Sequence, residues 1–214
     1  MAPESKSFPN GDNRNPNPLS LPYFFFDMNN AISCDEVTAA LQRNGIPRMF
    51  TRPGYSGLSD IKGRQAVNTR MLLVDRVADC SPAAPLVLEL SGDGKTSIEV
   101  FYGAIRVLVL RYRFSVLVTN LADLLPRIDS CSDFLKTTQH HVLALSSMVE
   151  DDRTVGYLSR QELYRCERFV QEWLMAGKYL VFTGARPLKD SEMFSRGFIN
   201  FLTSQDNYIF VPED

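Results

Sequence analysis

The stretch Asp151-Asp152-Arg153-Thr154-Val155-Gly156-Tyr157-Leu158-Ser159-Arg160-Gln161-Glu162 spaces its oxygen-bearing residues as a twelve-residue calcium loop does. Calcium takes about six to eight oxygens, and such a loop supplies them from positions 1, 3, 5, 9 and 12, with a backbone carbonyl at 7 and a glycine at 6 for the sharp turn. Asp151, Gly156, Ser159 and Glu162 fall at positions 1, 6, 9 and 12, and Tyr157 offers the carbonyl. Arg153 and Val155 overwrite positions 3 and 5. A like charge ~5 Å from the ion costs on the order of 1 kcal/mol even when well screened. The loop is therefore expected to keep the architecture of a calcium site better than its affinity. A second candidate lies nearer the N-terminus, where Asp27, Asn29, Ser33 and Glu36 give a fuller oxygen set. Ile32, Ser33 and Glu36 there repeat the spacing of Leu158, Ser159 and Glu162.

Elements that could position these loops follow from the hydrophobic pattern. Residues 1–20 are rich in Asn, Pro, Ser and Gly and are expected to be a disordered leader, with a folded domain over 21–214. Val37, Ala40 and Leu41 share one helical face, as do Val142, Leu145 and Val149, and as do Leu163, Cys166, Val170 and Trp173. The apolar segment Ile105 to Val118 is too short to span a bilayer, is interrupted by Arg106, Arg111 and Arg113, and is expected to be a buried helix. Stepping back from Leu158 by about thirty residues reaches Ile128 and then Ile98, each near a turn-like cluster, which suggests a repeated unit. The helix expected from Glu36 to Asn44 stops at Gly45, a usual terminator.

With both loops in view, the chain resembles a divergent member of the penta-EF-hand family, the group containing sorcin and the calpain small subunit. Tyr23 to Ile46 would be a first hand and Asn68 to Asp75 the helix entering a second. Ile98 to Leu110 would be that hand's exit helix, residues 151–162 a fourth loop, and Glu192 to Leu202 the last helix. The resemblance implies an all-α fold, a multi-EF-hand helix-loop-helix array with short two-stranded β ribbons between paired loops. It also implies calcium as the ligand and a protein-binding adaptor or weak calcium sensor as the function. Residues Tyr179 to Asp206 match the unpaired fifth hand, so Phe194, Phe198, Ile199 and Leu202 would form a homo- or heterodimer or partner surface. The same face could instead close the chain's own core. The departures, an insertion at Ala78 to Leu90 and loops short of ligands, leave a calcium-independent scaffold subunit of a larger complex as the alternative.

A third reading starts from Ala84-Pro85-Leu86-Val87-Leu88-Glu89-Leu90, a plausible strand, followed by Ser-Gly-Asp-Gly-Lys-Thr-Ser and a helix. Strand, Gly-rich turn, Lys-Thr and helix is the order of a phosphate-binding loop. The motif asks for a glycine five residues before Gly94, and Glu89 stands there with a charge that would repel phosphate. His140 and His141, the only histidines, are adjacent and cannot share a metal as residues four apart on a helix would. No catalytic constellation stands out, so the chain is expected not to be an enzyme. Its 214 residues carry 44% hydrophobic and 22% charged content with a net charge of -2, enough to bury a core but with no basic run for nucleic acid or for a membrane surface. Four dispersed cysteines and no signal-peptide pattern point to a reduced, cytoplasmic setting.

Overall fold

Five short, mainly aliphatic runs become strands: β1 (Leu86–Ser91), β2 (Val116–Thr119), β3 (Val142–Val149), β4 (Tyr179–Gly184) and β5 (Asn207–Val211). They form one sheet in the order β2-β3-β4-β1-β5, and every adjacent pair is parallel. Parallel strands need long crossovers, and here helices supply them. The elements are α1 (Cys34–Arg43), α2 (Arg64–Arg76), α3 (Lys95–Arg111), α4 (Leu121–Ser130), α5 (Phe134–Thr137), α6 (Arg160–Met175) and α7 (Arg196–Thr203). The computed structural model describes residues 34–52, 55, 57–92, 94–130, 134–149 and 158–213.

Alternate strand residues face opposite layers, so the sheet divides the core in two. Leu86, Leu88, Leu90, Val142, Ala144 and Val181 pack with Leu41 of α1, Leu73 of α2, and Phe101, Ile105 and Leu108 of α3. On the other face Val87, Leu143, Leu145, Leu180 and Phe182 pack with Leu124 of α4, Phe169 and Trp173 of α6, and Phe198 and Leu202 of α7. Both faces are covered, and β1 and β4 are buried along their whole length. A sheet buried on both sides is the usual condition of parallel strands, and it removes the apolar/polar alternation that marks a strand in sequence.

The all-α, multi-EF-hand expectation is corrected by this sheet. Ile98 lies within α3 at 41% exposure, Ile128 within α4, and Leu158 in the bend before α6, so they are not equivalent rungs of ribbons. Ile32 lies outside the described residues. The segment Ile105 to Val118 is divided: α3 ends at Arg111 and β2 begins at Val116. Val142, Leu145 and Val149 lie on β3, and a register shift between Leu145 and Val149 lets a strand mimic helical spacing. The supposed insertion Ala78 to Leu90 carries most of β1. Helices α1 and α6 lie where periodicity and the Gly45 terminator put them, and α2 and α7 overlap the segments Asn68 to Asp75 and Glu192 to Leu202 that the resemblance made helical. Among the described residues no helix is long and apolar enough to cross a membrane.

At the amino end of the sheet the two histidines precede β3 and meet Ser115. Ser115 Oγ lies 2.8 Å from His140 Nδ1, and the Ser115 amide donates to His141 Nδ1 at 3.2 Å. Lys178 Nζ donates to the His140 carbonyl at 2.6 Å. Burial, then the Lys178 charge, then Arg127 and His141 hold the His140 pKa below the ordinary imidazole value; burial and Lys178 do the same for His141. Both rings are thus harder to protonate when folded. As pH falls, the unfolded chain takes up protons first, so stability is full above about pH 6.5 and declines below it. The melting temperature should fall between pH 7 and pH 5.5, with a shallower slope in the double variant His140→Gln, His141→Gln. An unchanged slope in that variant would assign the acid sensitivity elsewhere.

Candidate functional site

Ser159 and Glu162, proposed as calcium ligands, close a capping box at the start of α6. Glu162 Oε2 accepts from the Ser159 amide at 2.7 Å, and the Glu162 amide donates to Ser159 Oγ at 3.3 Å. These bonds with Ser159 hold the Glu162 carboxyl below its ordinary range. Ser-x-x-Glu is a helix-start signature as much as a pair of ligand positions, and here it starts a helix. Glu36 lies in the first turn of α1. Asp27, Asn29, Ser33, Asp151 and Tyr157 lie outside the described residues. Among the described residues no group of three or more His, Cys, Asp or Glu could hold a metal ion. The calcium assignment is withdrawn with the fold that implied it. Phe194, Phe198, Ile199 and Leu202, expected as a partner face, are 5%, 1%, 3% and 0% exposed and pack into the core beneath the sheet.

The topology directs attention to the carboxyl end of β1. From β1 the chain crosses by α3 toward the β2 edge, whereas from β4 it crosses by α7 to β5 on the other side of β1. In open parallel sheets, the crevice at such a reversal, beyond the carboxyl ends of the strands, is where ligands bind. Here β1 ends at Ser91, and residues 92–94 lead directly into Lys95, the first residue of α3. The Gly92 amide donates to the Gly184 carbonyl at 2.7 Å, tying the ends of β1 and β4 together. Gly92 has φ +117, a conformation only glycine adopts without strain. Gln65, buried on α2, donates from Nε2 to the Ser91 carbonyl at 2.7 Å and to the Val211 carbonyl at 3.4 Å, joining the ends of β1 and β5.

Over this turn stands the first turn of α3. Its cap is Gly94, which has no side chain to bond the free amides, and its first turn holds no acidic residue. Those amides and the helix dipole make an anion-attracting end. The Lys95 side chain is 86% exposed and, among the described residues, has a loose i,i+4 contact, 3.8 Å, with Glu99. A screened pair of this kind holds a side chain weakly. Lys95 can therefore turn toward an anion at the helix end.

Glu89 does not oppose such an anion. It is 1% exposed, and its carboxylate is taken up inside the protein by the Leu188 amide at 2.6 Å and by the Tyr208 hydroxyl. Burial raises the Glu89 pKa, and the two hydrogen bonds partly offset that rise. The same contact, after burial, pushes the Tyr208 hydroxyl well above its ordinary value. The repulsion expected from this residue is corrected: its position in the motif is filled by a structural brace between β1, β5 and the 3-10 turn Leu188–Asp190.

Two departures from a full phosphate loop remain. Three residues connect strand to helix, so fewer backbone amides encircle a ligand than in the longer Gly-x-x-x-x-Gly-Lys turn. Within β3, Ser146 and Ser147 follow the aliphatic run, and among the strand's described residues none offers the carboxylate with which a phosphate loop's metal is held. The Ser147 amide donates to Thr183 Oγ1 at 2.8 Å, and Ser146 Oγ donates to the Thr119 carbonyl at 3.4 Å. These hydroxyls line the sheet end with neutral groups. Spacing alone did not point to Gln65 or Glu213 near the turn, since they come from distant parts of the chain, whereas Ser97 closes the run that suggested a phosphate loop.

No protein-family model matches the chain, and no curated protein matches it in sequence. Solved structures do match in shape. The DnaC helicase loader superimposes with a TM-score of 0.53 at 15% identity, over 75% of this chain and 98% of that one. Domain III of the Thermotoga maritima replication initiation protein DnaA gives 0.53 at 13% identity, over 76% and 68%. The replication initiator DnaA bound to AMPPCP and single-stranded DNA gives 0.54 at 11% identity, over 76% of this chain and 50% of that one. At such identities the likeness establishes the fold: a parallel α/β domain of the kind found in helicase loaders and replication initiators. The penta-EF-hand resemblance, with its adaptor, sensor and scaffold readings, is overturned by it.

Proposed function

We propose that this chain is a nucleotide-binding module that holds the phosphates of an adenine nucleotide at the Gly92–Thr96 turn and works as a component of a protein assembly. The observation that carries the reading is the placement of Gly-x-Gly-Lys-Thr at the carboxyl end of β1, between β4 and β5, where it opens a helix of 17 residues with no side-chain cap. A DnaA of the same fold is bound to AMPPCP, which supports an adenine nucleotide as the ligand class. That structure also holds single-stranded DNA, so the expectation of no nucleic-acid partner is not carried forward. Protein partners fit the loader and initiator neighbours. The proposal is for binding, and no hydrolytic step is assigned to the described residues.

Thermal denaturation with ATP and with AMPPCP tests the reading. A ligand present at about 100 times its Kd adds about 2.7 kcal/mol, which for a chain of this size raises the melting temperature by roughly 5–10 °C. Lys95→Ala should remove most of the shift while leaving the melting temperature of the free protein unchanged, because the side chain is exposed. No shift with any nucleotide in the wild type, at concentrations up to several millimolar, would retire the proposal.

A further inference from the structure

The anion-attracting end of α3 already has an anion in it. Strands β1 and β5 run parallel with Leu90 level with Val211, so the residue two beyond Val211 comes to rest beside the residue two beyond Leu90. Those residues are Glu213 and Gly92. The Glu213 carboxylate lies against the turn: Ser97 Oγ is 3.3 Å from Glu213 Oε1. A Cβ added to Gly92 would lie 2.7 Å from the Glu213 carboxyl carbon, and one added to Gly94 would lie 3.0 Å from Oε1. The two glycines thus form a floor on which this carboxylate rests, and any larger residue there would displace it. The helix end above has no side-chain cap and no acid of its own, and the Glu213 carboxylate brings a negative charge to it from the end of the neighbouring strand β5.

We propose that Glu213 is a built-in competitor for the phosphate site, its carboxylate covering the Gly92–Gly94 floor until a nucleotide phosphate displaces the segment after β5. The inference rests on the nucleotide reading above and adds regulation to it. Displacement is easy for a physical reason. Glu213 is exposed and, among the described residues, its side chain is held by the Ser97 hydroxyl, whereas a phosphate brings more charge and more acceptor oxygens to the helix-end amides and to Lys95. Entry of the nucleotide would then release residues 212 and 213 from the end of β5, converting occupancy of the site into a change at the edge of the sheet.

The test is ATP affinity, measured by titration calorimetry on the full chain without magnesium, for wild type, Glu213→Gln, and Glu213→Gln combined with Lys95→Ala. Removing one negative charge from beside the phosphates should tighten binding about tenfold. The added Lys95→Ala change should abolish the gain. Inorganic phosphate should show the same order of affinities at lower strength. Equal ATP affinity in wild type and Glu213→Gln, with binding still dependent on Lys95, would overturn the competitor role and leave the nucleotide site standing. Weaker binding in Glu213→Gln would also overturn it, by making the carboxylate a holder of the ligand. Absence of binding in every variant would remove both the competitor and the site.

Discussion

Glu89→Ala is expected to destabilise the chain by about 3 kcal/mol, while Glu89→Gln is tolerated. Alanine leaves the Leu188 amide, buried and directed at Glu89 Oε1, without an acceptor, and strips the Tyr208 hydroxyl of its partner. An unsatisfied buried polar group costs about 1–3 kcal/mol, and the space vacated by the side chain adds to that. Glutamine keeps a carbonyl for Leu188 and an amide group for Tyr208. The pH dependence separates charge from shape. Burial raises the Glu89 pKa, so the folded state retains this proton more readily than the unfolded one. Its stabilising contribution is full below about pH 4.5 and is lost as pH rises through the folded value. Glu89→Gln has no such loss and should gain on wild type between pH 5 and pH 8. Urea denaturation at both pH values measures this, and equal midpoints for Ala, Gln and wild type would show that Glu89 braces nothing.

Trp173→Ala is expected to be the most damaging single change in the layer that Glu89 also faces, at about 3–5 kcal/mol. The indole is 0% exposed, its Nε1 donates to the Tyr179 carbonyl at 2.9 Å, and its ring centroid lies 5.8 Å from that of Phe169. Lys178 Nζ sits 4.9 Å from the same ring centroid, so the residue joins the end of α6 to the start of β4. Trp173→Phe keeps most of the apolar volume, loses the hydrogen bond and should cost less than half as much. Since this is the only tryptophan, unfolding should be followed by circular dichroism. A midpoint for the alanine variant within 0.5 kcal/mol of wild type would mean that the layer closes around the loss.

The comparison of Ser159 with Lys95 shows how far residues alone carry. Ser159-x-x-Glu162 was legible as a spacing, yet a helix cap and two calcium positions share it. Only the partner of Glu162 Oε2, the Ser159 amide, decides between them. Lys95-Thr96 was legible as the possible end of a phosphate loop, and what set it aside was Glu89, whose position in the motif was known but whose direction was not. Strand alternation turns Glu89 toward Leu188 and Tyr208, partners 99 and 119 residues away. No reading of the flanking residues contains that information.

Local patterns determined what local physics controls. Val37 to Leu41 and Leu163 to Trp173 form helices because their apolar positions repeat at helical spacing, and α1 stops before Gly45 because that glycine takes φ +76. The runs Leu86-Val87-Leu88, Val116-Leu117-Val118, Val142-Leu143-Ala144 and Leu180-Val181-Phe182 also stood in the sequence, each with a helix following, which is the rhythm of a parallel sheet. They could pass for pieces of helix because a strand buried on both faces loses its alternation. Which run lies beside which, and so which turn falls at the reversal of strand order, belongs to the tertiary structure. So does the meeting of Gly92, Ser97 and Glu213: hydrogen bonds between strands of distant sequence set it, and pairing across a sheet leaves no mark on the spacing of residues along the chain.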